Sequence, residues 1–182
     1  MPVYTTFDSP LGELLLVGEE SVTAKGGTAL VSLSMPGQKS GAVVQDGWTR
    51  DEKAFAEIVS QLRSYFDGVL TDFDIEYVSG AGSDFQQRVW KAVETVPYGT
   101  TVSYGEIAAR IGASRAAVRA VGTAIGANPL LLVRPCHRVI GASGSLTGYA
   151  AGLERKQQLL DLEHARPATP PEDRHHLDFS PS

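Results

Sequence analysis

Ser103-Tyr104-Gly105-Glu106-Ile107-Ala108-Ala109-Arg110-Ile111-Gly112-Ala113-Ser114-Arg115-Ala116-Ala117-Val118-Arg119-Ala120-Val121-Gly122 is the stretch whose reading decides the fold. Ser103 and Glu106 make a capping box, the pattern that opens a helix by satisfying two free backbone N–H groups. Ile107, Ala108 and Ile111 follow at helical spacing, and Gly112 stands where a helix C-terminus favours glycine. Ser114 is placed to cap a second helix from Arg115 to about Gly126. Two short helices joined by Gly112-Ala113-Ser114 predict a helix-turn-helix.

Working outward, Ser83 and Gln86 form another capping box. Phe85, Val89, Trp90, Val93 and Val96 give that helix a buried face, and Pro97-Tyr98-Gly99 ends it. Downstream, Leu130 to Val133 reads as a short strand, Ile140 to Gly152 as a glycine-rich loop, and Leu153 to about His164 as a helix. Toward the N-terminus, Val3 to Phe7 and Glu13 to Val17 read as a hairpin joined by Ser9-Pro10-Leu11-Gly12. Residues 52–66 repeat apolar side chains on one helical face, and Phe73, Ile75 and Tyr77 alternate with acids as a half-exposed strand. The expected fold class is α/β: a small strand-rich N-terminal domain (1–78), a linker (79–83) and a mainly helical helix-turn-helix domain (84–165). Residues 166–182, with four prolines and few apolar side chains, are expected to be a disordered tail.

The chain has 182 residues and a net charge of −5, with 42% hydrophobic and 20% charged residues, which suits a globular protein. Its single cysteine excludes an internal disulfide and a cysteine-rich zinc site. No apolar run approaches the roughly 18 residues of a membrane helix, and a signal-peptide pattern is lacking, so a soluble cytoplasmic protein is expected. The acidic balance disfavours nucleic acid only on average. Residues 1–84 carry a net −8 and residues 141–182 a net −2, whereas residues 85–140 carry a net +5. Such a basic middle reads equally well as a phosphate-binding face or as chance.

Two features carry candidate chemistry. On the second helix of the motif, Arg115 and Arg119 lie one turn apart over a low surface of Ala116, Ala117 and Ala120. That surface suits close approach to a nucleic-acid groove, and equally a tight helix–helix contact. Then Pro135-Cys136-His137-Arg138 sets a thiol beside an imidazole. A free thiol is about 3% ionised at pH 7, so Cys136 needs a base, His137, and that base needs an orienting carboxylate. Glu163 and Glu154 on the last helix are the candidates. A cysteine hydrolase and a DNA-acting thiol both remain open on these residues.

Pro135-Cys136-His137-Arg138-Val139-Ile140 resembles the active-site signature of the O6-alkylguanine-DNA alkyltransferases. Phe85-Gln86-Gln87-Arg88-Val89-Trp90, Pro97-Tyr98-Gly99, Ser103-Tyr104, Arg119-Ala120-Val121-Gly122, Asn128-Pro129 and Gly148-Tyr149 resemble family motifs in order and spacing, as does Gly152-Leu153-Glu154-Arg155-Lys156. The resemblance is strong over about 83–164 and loose before it. It implies a ribonuclease H-like N-terminal domain and a winged-helix-like C-terminal domain. It implies direct-reversal DNA repair: an O6-alkylguanine, and less well an O4-alkylthymine, is flipped out of the duplex and its alkyl group moves irreversibly to Cys136. His137 would deprotonate Cys136 through a water, Glu163 would orient His137, and Asn128 would brace the turn. Tyr104 would rotate the nucleotide and hydrogen-bond the base, and Arg119 would fill the gap left behind. The Val139 carbonyl, the Ala150 amide and Tyr149 would contact the base, with Lys156 supporting the pocket. The implied partner is double-stranded DNA containing alkylated guanine, bound by a monomer with no cofactor, metal or membrane. The zinc site of some relatives is excluded, since residues 1–84 hold neither Cys nor His.

Three departures from the family pattern matter. Arg134 replaces an aliphatic residue and is expected to lower the thiol pKa or touch phosphate. Val118 replaces alanine and is expected to lift the recognition helix. Ala150 and Ala151 replace glycine or serine and are expected to narrow the pocket against bulky groups such as benzyl.

Overall fold

The Ser9–Gly12 turn does locally what its residues predict. Ser9 Oγ donates to the Gly12 carbonyl at 2.7 Å and accepts from the Leu11 N–H at 3.1 Å, while Gly12 takes φ +107°, a conformation that favours glycine. It joins β1 (Val3–Ser9) to β2 (Gly12–Glu20). β3 (Thr28–Ser34) runs antiparallel to β2, and β4 (Thr49–Arg50) runs parallel to β1, giving the order β3-β2-β1-β4. These positions come from a computed structural model that describes residues 2–38, 41–78 and 82–167.

A bulge at Val17/Gly18 brings β2 so close to its neighbours that a Cβ on Gly18 would lie 2.8 Å from the Ala29 carbonyl. α1 (Ala56–Phe66), preceded by a 3-10 turn at Lys53–Phe55, lays Ile58, Leu62 and Tyr65 on the sheet. With Leu14, Leu16, Leu30, Leu33 and Phe55 these side chains form the first core.

The second half contains α2 (Asp84–Val93), β5 (Thr100–Ser103), α3 (Tyr104–Arg110) and α4 (Val118–Gly126), the last preceded by a 3-10 turn at Arg115–Ala117. β6 (Val139–Ile140), α5 (Leu153–Leu162) and β7 (Arg166–Pro167) complete it, with β6 and β7 flanking β5 in parallel. Both expected capping boxes form, at Ser83/Gln86 and Ser103/Glu106. α3 ends as its glycine predicts. Gly112 takes φ +72°, its N–H reaches the Ala109 carbonyl, and the Ala113 N–H reaches that of Ala108, the paired bonds of a Schellman cap. Val89, Trp90, Val93, Ile107, Val121 and Ile125 pack the second core.

The structure corrects four local expectations. Leu130–Val133 is not a strand: its contacts are isolated bridges from Leu33 to Leu130 and from Leu131 to Arg134, and Leu132 takes φ +71°. Its apolar side chains serve burial in the first core rather than a ladder. Phe73–Tyr77 likewise makes a single bridge, Leu30 to Tyr77. Ser114 precedes its helix without a side-chain cap bond, because the chain enters through the 3-10 turn. The tail expected from 166 does not start there, since Arg166 and Pro167 pair with Thr100 and Thr101. Its remainder, 168–182, and the linker positions 79–81 lie outside the described residues.

One consequence positions the site. Leu130, Leu131 and Leu132 belong to the second half in sequence but to the first core in space. The Leu33 N–H bonds the Pro129 carbonyl, and the Leu131 N–H returns to the Leu33 carbonyl. The loop leading to Cys136 is therefore docked on β3 of the N-terminal domain.

Candidate active site

Asn128 organises that loop from within. It is buried, its Oδ1 accepts from the Leu130 N–H at 3.0 Å, and its Nδ2 donates to the carbonyls of Leu130 and Arg134 and to Cys136 Sγ at 3.1 Å. The chain then tightens into a 3-10 turn at Cys136–Arg138. Extended neighbours would point opposite ways; the turn instead carries thiol and imidazole into one buried region.

His137 is fully buried. Its Nε2 lies 2.7 Å from Glu163 Oε2, and its Nδ1 has no hydrogen-bond partner among the described residues. A carboxylate accepts only, so Nε2 carries the hydrogen and Nδ1 presents a lone pair. Of the two carboxylates considered, Glu163 is the one in contact. It is the C-cap of α5, and the following residue, His164, takes φ +51° as the chain turns into β7. Arg138 donates to both Glu163 oxygens, at 2.8 and 3.0 Å, and to the Val96 carbonyl. Tyr65 of α1 donates to Glu163 Oε2 at 2.5 Å.

The electrostatics follow from burial and these bonds. Burial pushes the Cys136 thiol up to about 12, against the hydrogen bond from Asn128 and the charges of Arg134 and Lys156. Burial lowers His137, with Glu163 opposing, so the imidazole rests neutral. Burial alone would raise Glu163, but its bonds and charge contacts with His137 and Arg138 hold it down at about 2. Burial lowers Lys156 to about 8. Its ammonium donates to the carbonyls of Val139, Thr147 and Gly148, at 2.6, 3.0 and 3.0 Å.

Beside this centre is a cavity of about 260 Å³ lined by Tyr104, Gly122, Ile125, Gly126, Leu131, Gly148, Tyr149 and Ala150. Tyr104 opens α3 and donates to the Thr147 carbonyl at 2.7 Å. The Tyr149 ring is half-buried, and its buried hydroxyl has no partner among the described residues. Ala150 lines the cavity, but Ala151 is buried in the first core, so its methyl group does not narrow the rim. α4 forms the opposite wall through Gly122, Ile125 and Gly126. Arg115, Ala116 and Arg119 are exposed and Ala117 half-buried. Val118 packs against the second core rather than projecting outward, so it does not lift the helix.

Two cations of the basic middle are not on its surface. Arg134 and Arg138 are buried and paired with Glu94 and Glu163. The exposed positive side chains of that window are Arg88, Lys91, Arg110, Arg115 and Arg119. Sequence reading did not find Tyr65, and it assigned no role to Glu94. Neither carries a local motif, and each reaches its partner across the fold.

Residues 84–165 match the family model described as 6-O-methylguanine DNA methyltransferase, DNA binding domain. Residues 3–78 match its ribonuclease-like domain. The chain is 55% identical over 160 residues to the methylated-DNA–protein-cysteine methyltransferase of Mycolicibacterium paratuberculosis, covering 88% of this chain and 91% of that one. It is 53% identical over 163 residues to the protein of the same name from Mycobacterium tuberculosis H37Rv, covering 90% and 93%. The crystal structure of Mycobacterium tuberculosis OGT in complex with DNA superposes with a TM-score of 0.79 at 51% identity, covering 91% of this chain and 96% of that one.

Proposed function

The chain belongs to the 6-O-methylguanine DNA methyltransferase family, and from that premise we propose how its own residues carry out alkyl transfer. It is a methylated-DNA–protein-cysteine methyltransferase, a DNA-repair protein that reverses alkylation directly by moving the alkyl group to cysteine. The acceptor we propose is Cys136 and the substrate an O6-alkylguanine in double-stranded DNA, with O4-alkylthymine a poorer one.

An alkyl carbon stacked inside a duplex is out of reach, so the base is extruded, at a few kcal/mol. Arg119, exposed on α4, fills the space it leaves, while Arg115 and the alanines 116 and 117 meet the backbone. The base enters the cavity between α4 and Tyr149. Tyr104 guides it, the Val139 carbonyl accepts from its amino group, and the Ala150 N–H donates to O6. Lys156 keeps the pocket wall in place through its three carbonyl bonds. The Cys136 proton passes through a water to His137 Nδ1, the sulfur attacks the alkyl carbon, and the carbon–oxygen bond breaks. Guanine leaves with its electron pair on O6, held by the Ala150 N–H, and takes back a proton from the site. The thioether does not hydrolyse, so each molecule reacts once.

The observation that carries this reading is the His137–Glu163 pair at 2.7 Å, which leaves Nδ1 as a free acceptor on the turn that holds the buried Cys136. The family matches, 3–78 and 84–165, support a division into two domains at 79–83. We take the protein to act as a cytoplasmic monomer; no described helix is long and apolar enough to cross a membrane. Incubation with an O6-methylguanine duplex, followed by intact and peptide mass analysis, tests the assignment. One methyl group on Cys136, with activity lost in equal proportion, is expected. Tight lesion binding without a mass change would reduce the chain to a lesion-binding protein.

A further inference from the structure

Arg134 is a buried arginine. It is 3% exposed and two residues before Cys136. Burying a guanidinium is unfavourable unless it is paired and well packed, and here it is both. Nε donates to Glu94 Oε2 at 3.0 Å. The guanidinium carbon lies 4.7 Å from the centre of the Trp90 ring and 5.0 Å from that of Tyr77, within cation–π range of each. Tyr77 in turn donates to the other oxygen of Glu94. Trp90 and Glu94 belong to α2 and its C-cap, and the Trp90 indole N–H is anchored on the Ala124 carbonyl of α4. Tyr77 lies in the N-terminal domain, bridged to Leu30 of β3. One side chain thus touches both domains.

Its backbone is what holds the nucleophile. The Arg134 carbonyl accepts from the Cys136 N–H at 2.7 Å and from Asn128 Nδ2 at 3.3 Å, and its N–H donates to the Leu130 carbonyl at 2.9 Å. We propose that Arg134 is a positioning residue for the alkyl transfer: stacked between Tyr77 and Trp90 and tied to Glu94, it clamps the loop that carries Cys136 onto both domains. The proposal rests on Cys136 being the alkyl acceptor.

A purely electrostatic role is the rival, and the geometry argues against it. Glu94 sits 3.0 Å from Arg134 Nε, so the thiol sees a close pair of opposite charges whose fields largely cancel. The two act on Cys136 in opposite senses, Arg134 favouring the thiolate and Glu94 opposing it. A clamp and a field therefore make opposite predictions for Glu94. Loosening a clamp at either end slows the reaction, whereas removing the negative end of a field quickens it.

The experiment is single-turnover methyl transfer from an O6-methylguanine duplex, reading the rate constant at saturation, the half-saturating duplex concentration and the reacting fraction. Arg134→Met and Glu94→Gln are both expected to lower the saturated rate roughly ten- to a hundredfold, the penalty of ångström-scale misplacement. The factor is the same at every pH, and the half-saturating concentration does not change. Arg134→Lys recovers part of the rate, because its ammonium still reaches Glu94 but has no flat face to stack. A reacting fraction that falls while the rate stays at wild type means Arg134 only supports folding, and overturns the clamp. A Glu94→Gln protein faster than wild type overturns it in favour of a field. An active wild type with variants at its rate overturns the clamp alone; a wild type that takes up no methyl group at Cys136 overturns the functional reading and the clamp with it.

Discussion

Replacing Glu163 by Gln should remove a pH-dependent share of stability whose size and pH window the structure sets. The carboxylate is buried and accepts from Tyr65, His137 and Arg138. Holding it at about 2 instead of the ordinary 4.5 corresponds to about 3 kcal/mol, at ~1.4 kcal/mol per tenfold change in proton affinity. A depressed carboxyl stabilises the fold fully above its unfolded value. As pH falls through 4.5 toward 2 the unfolded chain takes up a proton that the folded chain refuses, and the advantage disappears. Glutamine cannot ionise, so the stability difference between wild type and Glu163→Gln should shrink by about 3 kcal/mol between about pH 5 and pH 2. A further part, independent of pH, comes from leaving Arg138 buried without its counter-charge, on the order of 3 kcal/mol. Urea unfolding of both proteins by intrinsic fluorescence at half-unit pH steps measures the difference, and other carboxyls cancel in the subtraction. Two stability curves that stay parallel from pH 7 to pH 2.5 would refute the reasoning, because the carboxylate would then not be held ionised by its neighbours.

Four other outcomes are expected. Asn128→Ala leaves the Leu130 N–H and the Arg134 carbonyl short of a partner, and should cost on the order of 3 kcal/mol by denaturant titration; a loss below 1 kcal/mol would contradict the bracing role. Tyr65→Phe removes a single bond to Glu163, so it should destabilise by about 2 kcal/mol and slow transfer less than Glu163→Gln does; stopped reaction in Tyr65→Phe would be the wrong ranking. Arg119→Ala should slow repair in duplex DNA while Cys136 still reacts with free O6-methylguanine at the wild-type rate, and normal duplex repair would remove Arg119 from the flipping step. Arg115→Ala should flatten the slope of log affinity against log salt by about one; an unchanged slope would take Arg115 off the phosphate backbone.

What the sequence made legible was mostly local. Ser83/Gln86, Ser103/Glu106 and Gly112 announce helix ends because the partners lie within a few residues, and the structure forms all three. The Pro135–Ile140 signature marked the proposed nucleophile and base, and the last helix offered Glu163 beside Glu154. Burial and long-range pairing were not legible. Leu130–Val133 has a strand's composition, but its role depends on β3, about a hundred residues earlier in the chain. Tyr65 meets Glu163 across 98 positions. Arg134 and Arg138 counted as surface charge in a window sum, yet each is buried against a carboxylate. No window of sequence separates an arginine that binds phosphate from one that holds a loop.

The burial that hides the proposed nucleophile also decides how it would have to be activated. With the thiol pushed up to about 12 by burial, it is held as the thiol at pH 7, which would protect a residue proposed to be used once. That protection would also stop the reaction unless the proton moved inside the site. At rest Arg138 answers Glu163, and the thiol and imidazole are neutral. Transfer to His137 creates a thiolate and an imidazolium together, so no net charge is added to the low-dielectric interior. Glu163 is already ionised and already bonded to Nε2, so the new imidazolium meets a counter-charge without reorganisation. The same carboxylate serves two cations at that moment, which is why its loss should harm the reaction more than the loss of any neutral partner.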